Sequence, residues 1–192
     1  MPYFPAFINL KDKLVVVVGG GNVASRKVKK LLPFGARLKV IAPRVSSYIE
    51  KLAREGRIEL IKRRVRLSDL SGAYMVIVAV DNLKVQKRLY NYCEKKGIWC
   101  NSVDNLEFCN FVFPALVIRG ELVIGITTSG RVPALSAVLK EHIENCLPPN
   151  VEELLYELER LRKSMPKGRE RRARLILKAR EIFFKQKGTP TS

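Results

Sequence analysis

From Leu14 to Val18 every residue is apolar and four of the five are β-branched, the pattern of a strand buried on both faces. Gly19-Gly20-Gly21 interrupts the run. Residues 23–32 then read as a helix, ended by Pro33 and Gly35. The same alternation recurs downstream. Residues 38–42 form a second strand stopped by Pro43, and 45–54 a helix with Ser46 and Ser47 near its start and Gly56 after its end. Residues 58–65 and 74–80 read as a third and a fourth strand, 83–96 as a helix closed by Gly97, and 99–103 as a fifth strand. Strand and helix alternate through short connections, which predicts an α/β fold with a doubly wound parallel sheet.

The pattern changes after Asn105. Residues 111–119 and 122–127 are two β-like runs joined by Gly120, as in a hairpin, and 133–146 form a helix with Pro133 in its first turn. Pro148-Pro149 breaks the chain. Two further helices, 151–164 and 169–185, are separated by Pro166 and Gly168 and carry Leu154, Leu155, Leu158, Leu161, then Leu175, Leu177, Ile182 and Phe183 at helical spacing. Three parts are expected: a sheet domain over 1–113, a small α+β segment over 114–150, and a helical carboxyl-terminal region over 151–192. Val123, Ile124, Leu135, Val138 and Leu139 exceed what a small hairpin and helix hide alone, so 114–150 is expected to be a dimerisation segment.

Charge narrows the partners. Lys and Arg number 36 against 18 Asp and Glu, a net +18. Such a surplus favours a polyanion, either nucleic acid, acidic lipid or a small molecule with many carboxylates or phosphates. The plainer reading is a solubilising surface of a heat-adapted protein. Residues 151–192 contribute +6 of the total, so the charge is not confined to a tail. A nucleic-acid partner using Arg169 to Arg180 is not expected, because no aromatics for base stacking are interleaved there. No stretch of 18 apolar residues and no secretory signal are visible, and the protein is expected to be cytoplasmic with no membrane partner. Cys93, Cys100, Cys109 and Cys146 fit no zinc or iron–sulfur spacing and are expected as free thiols. His142 stands four residues before Cys146, too few ligands for a metal site, and no metal is expected.

The chemistry concentrates at strand ends. Gly19-Gly20-Gly21-Asn22-Val23-Ala24 matches G-x-G-x-x-A directly after a strand and before a helix. Gly19 permits the tight turn, Gly21 lets a pyrophosphate approach the backbone, and Ala24 lets helix and strand pack closely. The helix N-terminus offers free N–H groups and its positive dipole end to phosphates. The sheet domain is therefore read as a Rossmann-type dinucleotide-binding domain. The acidic residue usual about 20 positions on is missing; Ala42, Pro43 and Arg44 stand there. Arg44 suits a 2′-phosphate, adenine stacking or solvent, and backbone near Pro43 suits the ribose, so NAD and NADP both stay open on this chemistry.

Asp104, in Asn101-Ser102-Val103-Asp104-Asn105, follows the fifth strand at the carboxyl edge where such sheets bind ligands. A carboxylate there can exchange a proton beside a nicotinamide ring. A turn-forming Asp-Asn pair is the competing reading. Asp81-Asn82 ends the fourth strand similarly, and there helix capping is favoured over a place beside the cofactor. Thr127-Thr128-Ser129-Gly130 precede a helix and suit either an oxyanion grip or, slightly favoured, an ordinary N-cap.

Together, Phe7-Ile8-Asn9-Leu10, the stretch Val17 to Lys27, Asn101-Ser102-Val103-Asp104, Phe111-Val112-Phe113-Pro114-Ala115 and Ser129 to Leu135 resemble the precorrin-2 dehydrogenase family, the siroheme synthase amino-terminal module, over roughly 1–150. The resemblance implies NAD-dependent oxidation of precorrin-2 to sirohydrochlorin, an intertwined homodimer, and in some members iron insertion as well. It puts Asn22, Val23, Pro43 and Arg44 at the NAD, and Asp104 on the catalytic aspartate. It puts Thr128 where some members have a serine near the cleft. A tetrapyrrole with eight carboxylates would give the basic surplus its partner. The alternative from another class is a non-catalytic Rossmann module that senses a nucleotide and regulates a partner.

Overall fold

The computed structural model describes residues 3–103 and 105–185. β1 (Leu14–Val18) is the middle strand of a five-stranded parallel sheet. Its valines divide by the two-residue period of a strand. Val15 and Val17 enter one core and Val16 and Val18 the other, and none is more than 2% exposed. Burying each contributes about 1.5–3 kcal/mol, which explains why this strand tolerates no polar residue. β2 (Arg37–Ile41) and β3 (Glu59–Ile61) extend the sheet on one side of β1, and β4 (Met75–Val78) and β5 (Trp99–Ser102) on the other, giving the order β3-β2-β1-β4-β5. The register runs Val15 to Leu38 and Met75, and Met75 to Trp99.

The helices cover both faces, as expected of a doubly wound sheet. α1 (Asn22–Leu31) buries Ala24, Val28 and Leu31, and α2 (Ser47–Arg54) buries Ile49 and Leu52, all into the core that holds Val15 and Val17. α3 (Leu83–Lys96) buries Leu89 and Cys93 into the opposite core. It starts on Asn82, whose side chain accepts the Val85 amide at 3.1 Å, so the capping role expected at Asp81-Asn82 belongs to the asparagine.

Contacts divide the chain into two compact units, Met1–Phe113 and Pro114–Ser192. In the second, β6 (Ala115–Arg119) and β7 (Leu122–Ile126) form the antiparallel hairpin, pairing Ala115 with Ile126 and Arg119 with Leu122. α4 (Pro133–Cys146) packs on the hairpin, and α5 (Val151–Ser164) pairs with α6 (Arg169–Lys185). The start of α5 buries Val151 and Leu154. No described helix is long and apolar enough to cross a membrane.

The third and sixth strands fall furthest short of their patterns. The third ends at Ile61 rather than 65, because its neighbour has no further ladder to offer. Ala42 donates to the Ile61 carbonyl at 3.1 Å, and Pro43 follows without an N–H. Arg63 instead forks onto Asp69 at 2.7 and 2.8 Å, and the Asp69 carboxylate also accepts the Arg66 amide at 2.7 Å, closing a short turn. The sixth strand begins at Ala115 rather than 111. Phe111 and Phe113 pack against the core of the sheet domain, and Pro114 separates them from the hairpin.

Candidate dinucleotide site

The carboxyl ends of β1, β2, β4 and β5 define one edge of the sheet, and β1 and β4 flank the point where strand order reverses. The glycine turn sits at that point. Gly19 has φ +121, and a Cβ on it would lie 2.1 Å from the Ala79 carbonyl oxygen. Gly20 is equally closed: a Cβ would meet the Arg44 carbonyl oxygen at 2.3 Å and Val45 Cγ1 at 2.6 Å. The fingerprint leaves this middle position free, yet here it is the contact between the β1 turn and the segment after β2. Gly20 O accepts the Ser46 amide at 2.8 Å, and Gly19 N donates to Ile41 O at 3.0 Å.

Gly21 differs. A Cβ there would meet nothing within 4 Å, so the space beside it is open. Gly21 is also the N-cap of α1 and supplies no side-chain cap. The first helical bond runs from the Ser25 amide to Gly21 O at 3.0 Å, leaving the amides of Asn22, Val23 and Ala24 without helical acceptors. An open, side-chain-free space in front of unsatisfied N–H groups at a helix N-terminus is the geometry a pyrophosphate needs. Ser25 Oγ lies 2.7 Å from Ser46 Oγ, tying the start of α1 to the cap of α2. Pro43 and Arg44 stand exposed at the end of β2, beside this turn.

Asp104 lies outside the described residues. Its neighbours belong to an arrangement the sequence did not reveal. Val103 N donates to Val78 O at 2.9 Å, and the chain then reverses, so that residues 109–111 run back along the edge strand β5. Asn110 holds the return. Its side chain accepts the Cys100 amide at 2.6 Å and donates to Ile98 O at 3.0 Å and Glu94 Oε1 at 2.6 Å. Cys109 spans the base of the loop. Its sulfur accepts the Ser102 amide and donates toward Ser102 O and Asn105 O, each at 3.2 Å. Burial pushes this thiol up, so it stays protonated and can donate. Asn101 Nδ2 donates to Phe111 O at 3.1 Å and lies 3.5 Å from Cys109 Sγ. The covered edge protects β5 from further pairing.

Thr128, Ser129 and Gly130 belong to the second unit, in the loop between β7 and α4. The N-cap expected there is absent: Val132 occupies the cap and no side chain bonds it as one. Thr128 Oγ1 instead accepts the Val132 amide at 3.1 Å and donates to Val132 O at 3.0 Å, closing the loop on itself. Ser129 has φ +54 and its amide is taken by Thr127 Oγ1 at 3.0 Å. His142 Nε2 and Cys146 Sγ are 3.8 Å apart and exposed, and no group of three potential metal ligands occurs among the described residues. A cavity of about 470 Å³ opens at the opposite, amino-terminal edge of the sheet, lined by Lys13, Arg37, Tyr74 and Tyr92 among others, away from the glycine turn.

Sheet order, glycine turn and helix N-terminus define a dinucleotide-binding Rossmann domain. The chain belongs to the family described as putative NAD(P)-binding, whose model matches residues 6–115. Among curated relatives, the siroheme synthase of Baumannia cicadellinicola subsp. Homalodisca coagulata is 38% identical over 148 residues, 77% of this chain and 32% of its own length. Siroheme synthase 1 of Serratia proteamaculans (strain 568) is 34% identical over 151 residues, 79% of this chain and 32% of its own. The chain thus spans about a third of these relatives. A solved structure of SirC, precorrin-2 dehydrogenase, superposes with a TM-score of 0.75 at 26% identity, covering 96% of this chain and 98% of that one. These findings bear out the resemblance to the siroheme synthase amino-terminal module and the precorrin-2 dehydrogenases read from the sequence.

Proposed function

We propose that the chain is an NAD-dependent dehydrogenase that oxidises precorrin-2 to sirohydrochlorin in siroheme biosynthesis. One observation carries the reading: a phosphate-ready glycine turn at the switch point of a chain of which 96% aligns with SirC. Gly19, Gly21, Asn22, Val23 and Ala24 hold the pyrophosphate through backbone groups, and Pro43 and Arg44 border the adenosine end. NAD, when bound, supplies the hydride acceptor. The substrate loses a hydride and a proton, and Asp104 accepts the proton. Thr128, Ser129 and Gly130 contribute to substrate binding.

The working form is a cytoplasmic homodimer joined through residues 114–150. Leu135, Val138 and Leu139 are 48%, 62% and 40% exposed on α4, which supports a second copy covering them. Iron insertion, if the protein performs it, is secondary, because no dedicated metal cage is evident among the described residues. The test is incubation with precorrin-2 and NAD, followed by the absorbance of sirohydrochlorin. Asp104→Asn should lower turnover by about 10²–10⁴-fold with little change in NAD affinity. Near-normal turnover by that variant would leave Asp104 as a turn residue only.

A further inference from the structure

We propose that the corner between α5 and α6 is a second anion site, which takes paired carboxylates of a ligand with an apolar body. The carboxylated tetrapyrrole is its occupant, and that identity rests on the dehydrogenase reading above. A cavity of about 600 Å³ opens at this corner, lined by Arg162, Gly168, Arg171, Arg172, Leu175 and Ile176. Three of the six lining residues are arginines and none is acidic. The acids nearby hold other cations in their ion pairs: Glu159 holds Lys163 at 2.6 Å, with the charge of Arg162 acting on it more weakly, Glu170 holds Arg174 at 2.8 Å, and Glu157 lies 3.6 Å from Lys178. Among the described residues, none of Arg162, Arg171 and Arg172 has an ion-pair partner within 4 Å.

The arrangement costs the isolated chain stability. Arg171 and Arg172 lie in the first turn of a 17-residue helix, the end where the macrodipole opposes a cation. Like charges gathered there repel one another as well. Arg171 is nevertheless held in place. It is half-buried, and its Nη1 lies 3.5 Å from both Arg162 O and Met165 O, at the carbonyl end of α5. Its fork is therefore partly ordered before any ligand arrives. Arginine forks match the two oxygens of a carboxylate, and several such pairs in one cavity favour a ligand with several carboxylates. Leu175 and Ile176 settle the kind of ligand. Ile176 is 45% exposed, and an apolar share of the lining beside three arginines suits a macrocycle edge with acidic side arms better than a bare phosphate.

The experiment uses the full chain and uroporphyrin, a stable porphyrin with eight carboxylates, titrated by fluorescence and by methyl NMR. The methyl signals of Leu175 and Ile176 should shift on titration. The variant Arg162→Gln/Arg171→Gln/Arg172→Gln should bind about tenfold or more weakly at this corner, with unchanged circular dichroism and NAD affinity. An equal concentration of pyrophosphate should displace little of the porphyrin. Unmoved Leu175 and Ile176 signals, or equal binding by the variant, would overturn the site. Displacement by pyrophosphate at the porphyrin's own affinity would overturn the carboxylate assignment. Turnover of precorrin-2 is measured separately on the unaltered protein. Its failure alongside intact porphyrin binding would remove the dehydrogenase reading and leave the site.

Discussion

Two neighbouring glycines should fail in opposite ways. In Gly20→Ala the new methyl would lie 2.3 Å from the Arg44 carbonyl oxygen, 2.6 Å from Val45 Cγ1 and 2.9 Å from Val45 Cα. Two of these atoms are backbone, so no rotamer change relieves the overlap, and the segment after β2 must move by roughly 1 Å to reach ordinary contact. That shift breaks the Ser46 to Gly20 bond, 2.8 Å long, which contributes about 1 kcal/mol. Overpacking strain adds about 1–3 kcal/mol. The sum, about 2–4 kcal/mol, corresponds to a melting point lower by roughly 8–16 °C, at about 4 °C per kcal/mol for a domain of this size.

Gly21→Ala places its methyl in open space with φ −80, an ordinary backbone conformation. Only the N-cap preference is lost, about 0.5–1 kcal/mol. The same methyl occupies the space proposed for the pyrophosphate, so NAD should bind about tenfold or more weakly while the fold survives. Thermal melts and NAD titrations on both variants decide the matter. A Gly20→Ala protein melting within about 2 °C of the parent would refute the packing argument. Unchanged NAD affinity in Gly21→Ala would refute the placement of the cofactor.

Other variants probe the remaining parts. Asp69 is held well down, from an ordinary 3.8 to about 2, chiefly by the Arg63 fork. A depressed carboxylate stabilises the fold above about pH 4, and that contribution fades as pH falls toward 2, so Asp69→Asn should flatten the acid limb of a denaturation series across that window. Cys109→Ala leaves Ser102 N, Ser102 O and Asn105 O without their shared sulfur. It should cost about 1–3 kcal/mol and lower turnover more than NAD affinity, with Cys109→Ser recovering most of both. Sedimentation should give a dimer at micromolar concentration, and Val138→Asp should yield monomers; a monomeric parent would count against the α4 interface. Steady-state constants should favour NAD, and a preference for NADP above tenfold would reassign Arg44 to a 2′-phosphate.

What the sequence made legible was whatever depends on period and punctuation. The unbroken Val15–Val18 run is legible because both faces of β1 are buried. The ends of α3 are legible because Asn82 caps one and Gly97, at φ +65, closes the other. The glycine turn was legible as a class, though not the role of Gly20, whose constraint comes from Arg44 and Val45 in a different segment. The return of residues 109–111 along β5 was not legible. It is built from side-chain bonds of Asn101, Cys109 and Asn110 to backbone groups, and such bonds follow no period. The N-cap expected at Thr128 failed for a related reason. A threonine four residues before Val132 can satisfy that amide by closing a loop, and composition alone does not separate this from capping.

The charge surplus takes on meaning once its members are placed. With 36 cations and 18 anions, at least half the cations have no acid of their own even if every pair forms. Several are absorbed structurally: Lys13 lies 5.5 Å from the Tyr74 ring centre, Lys27 4.1 Å from that of Phe113, and Arg63 forks onto Asp69. Others enter helical pairs such as Lys51–Glu55 and Lys140–Glu144. A purely solubilising surface would spread the remainder. Instead three arginines line one cavity, and two of them, Arg171 and Arg172, stand at a helix end that disfavours a cation. Screening then offers a simple discriminator. Bulk positive charge steers any anion and fades over a Debye length of about 10 Å at 0.1 M salt, whereas forked carboxylate pairs persist. Porphyrin association should therefore slow as salt rises, while dissociation from the α5–α6 corner changes little. Equal acceleration of dissociation in the parent and the triple arginine variant would mean that the surplus acts only as a diffuse field.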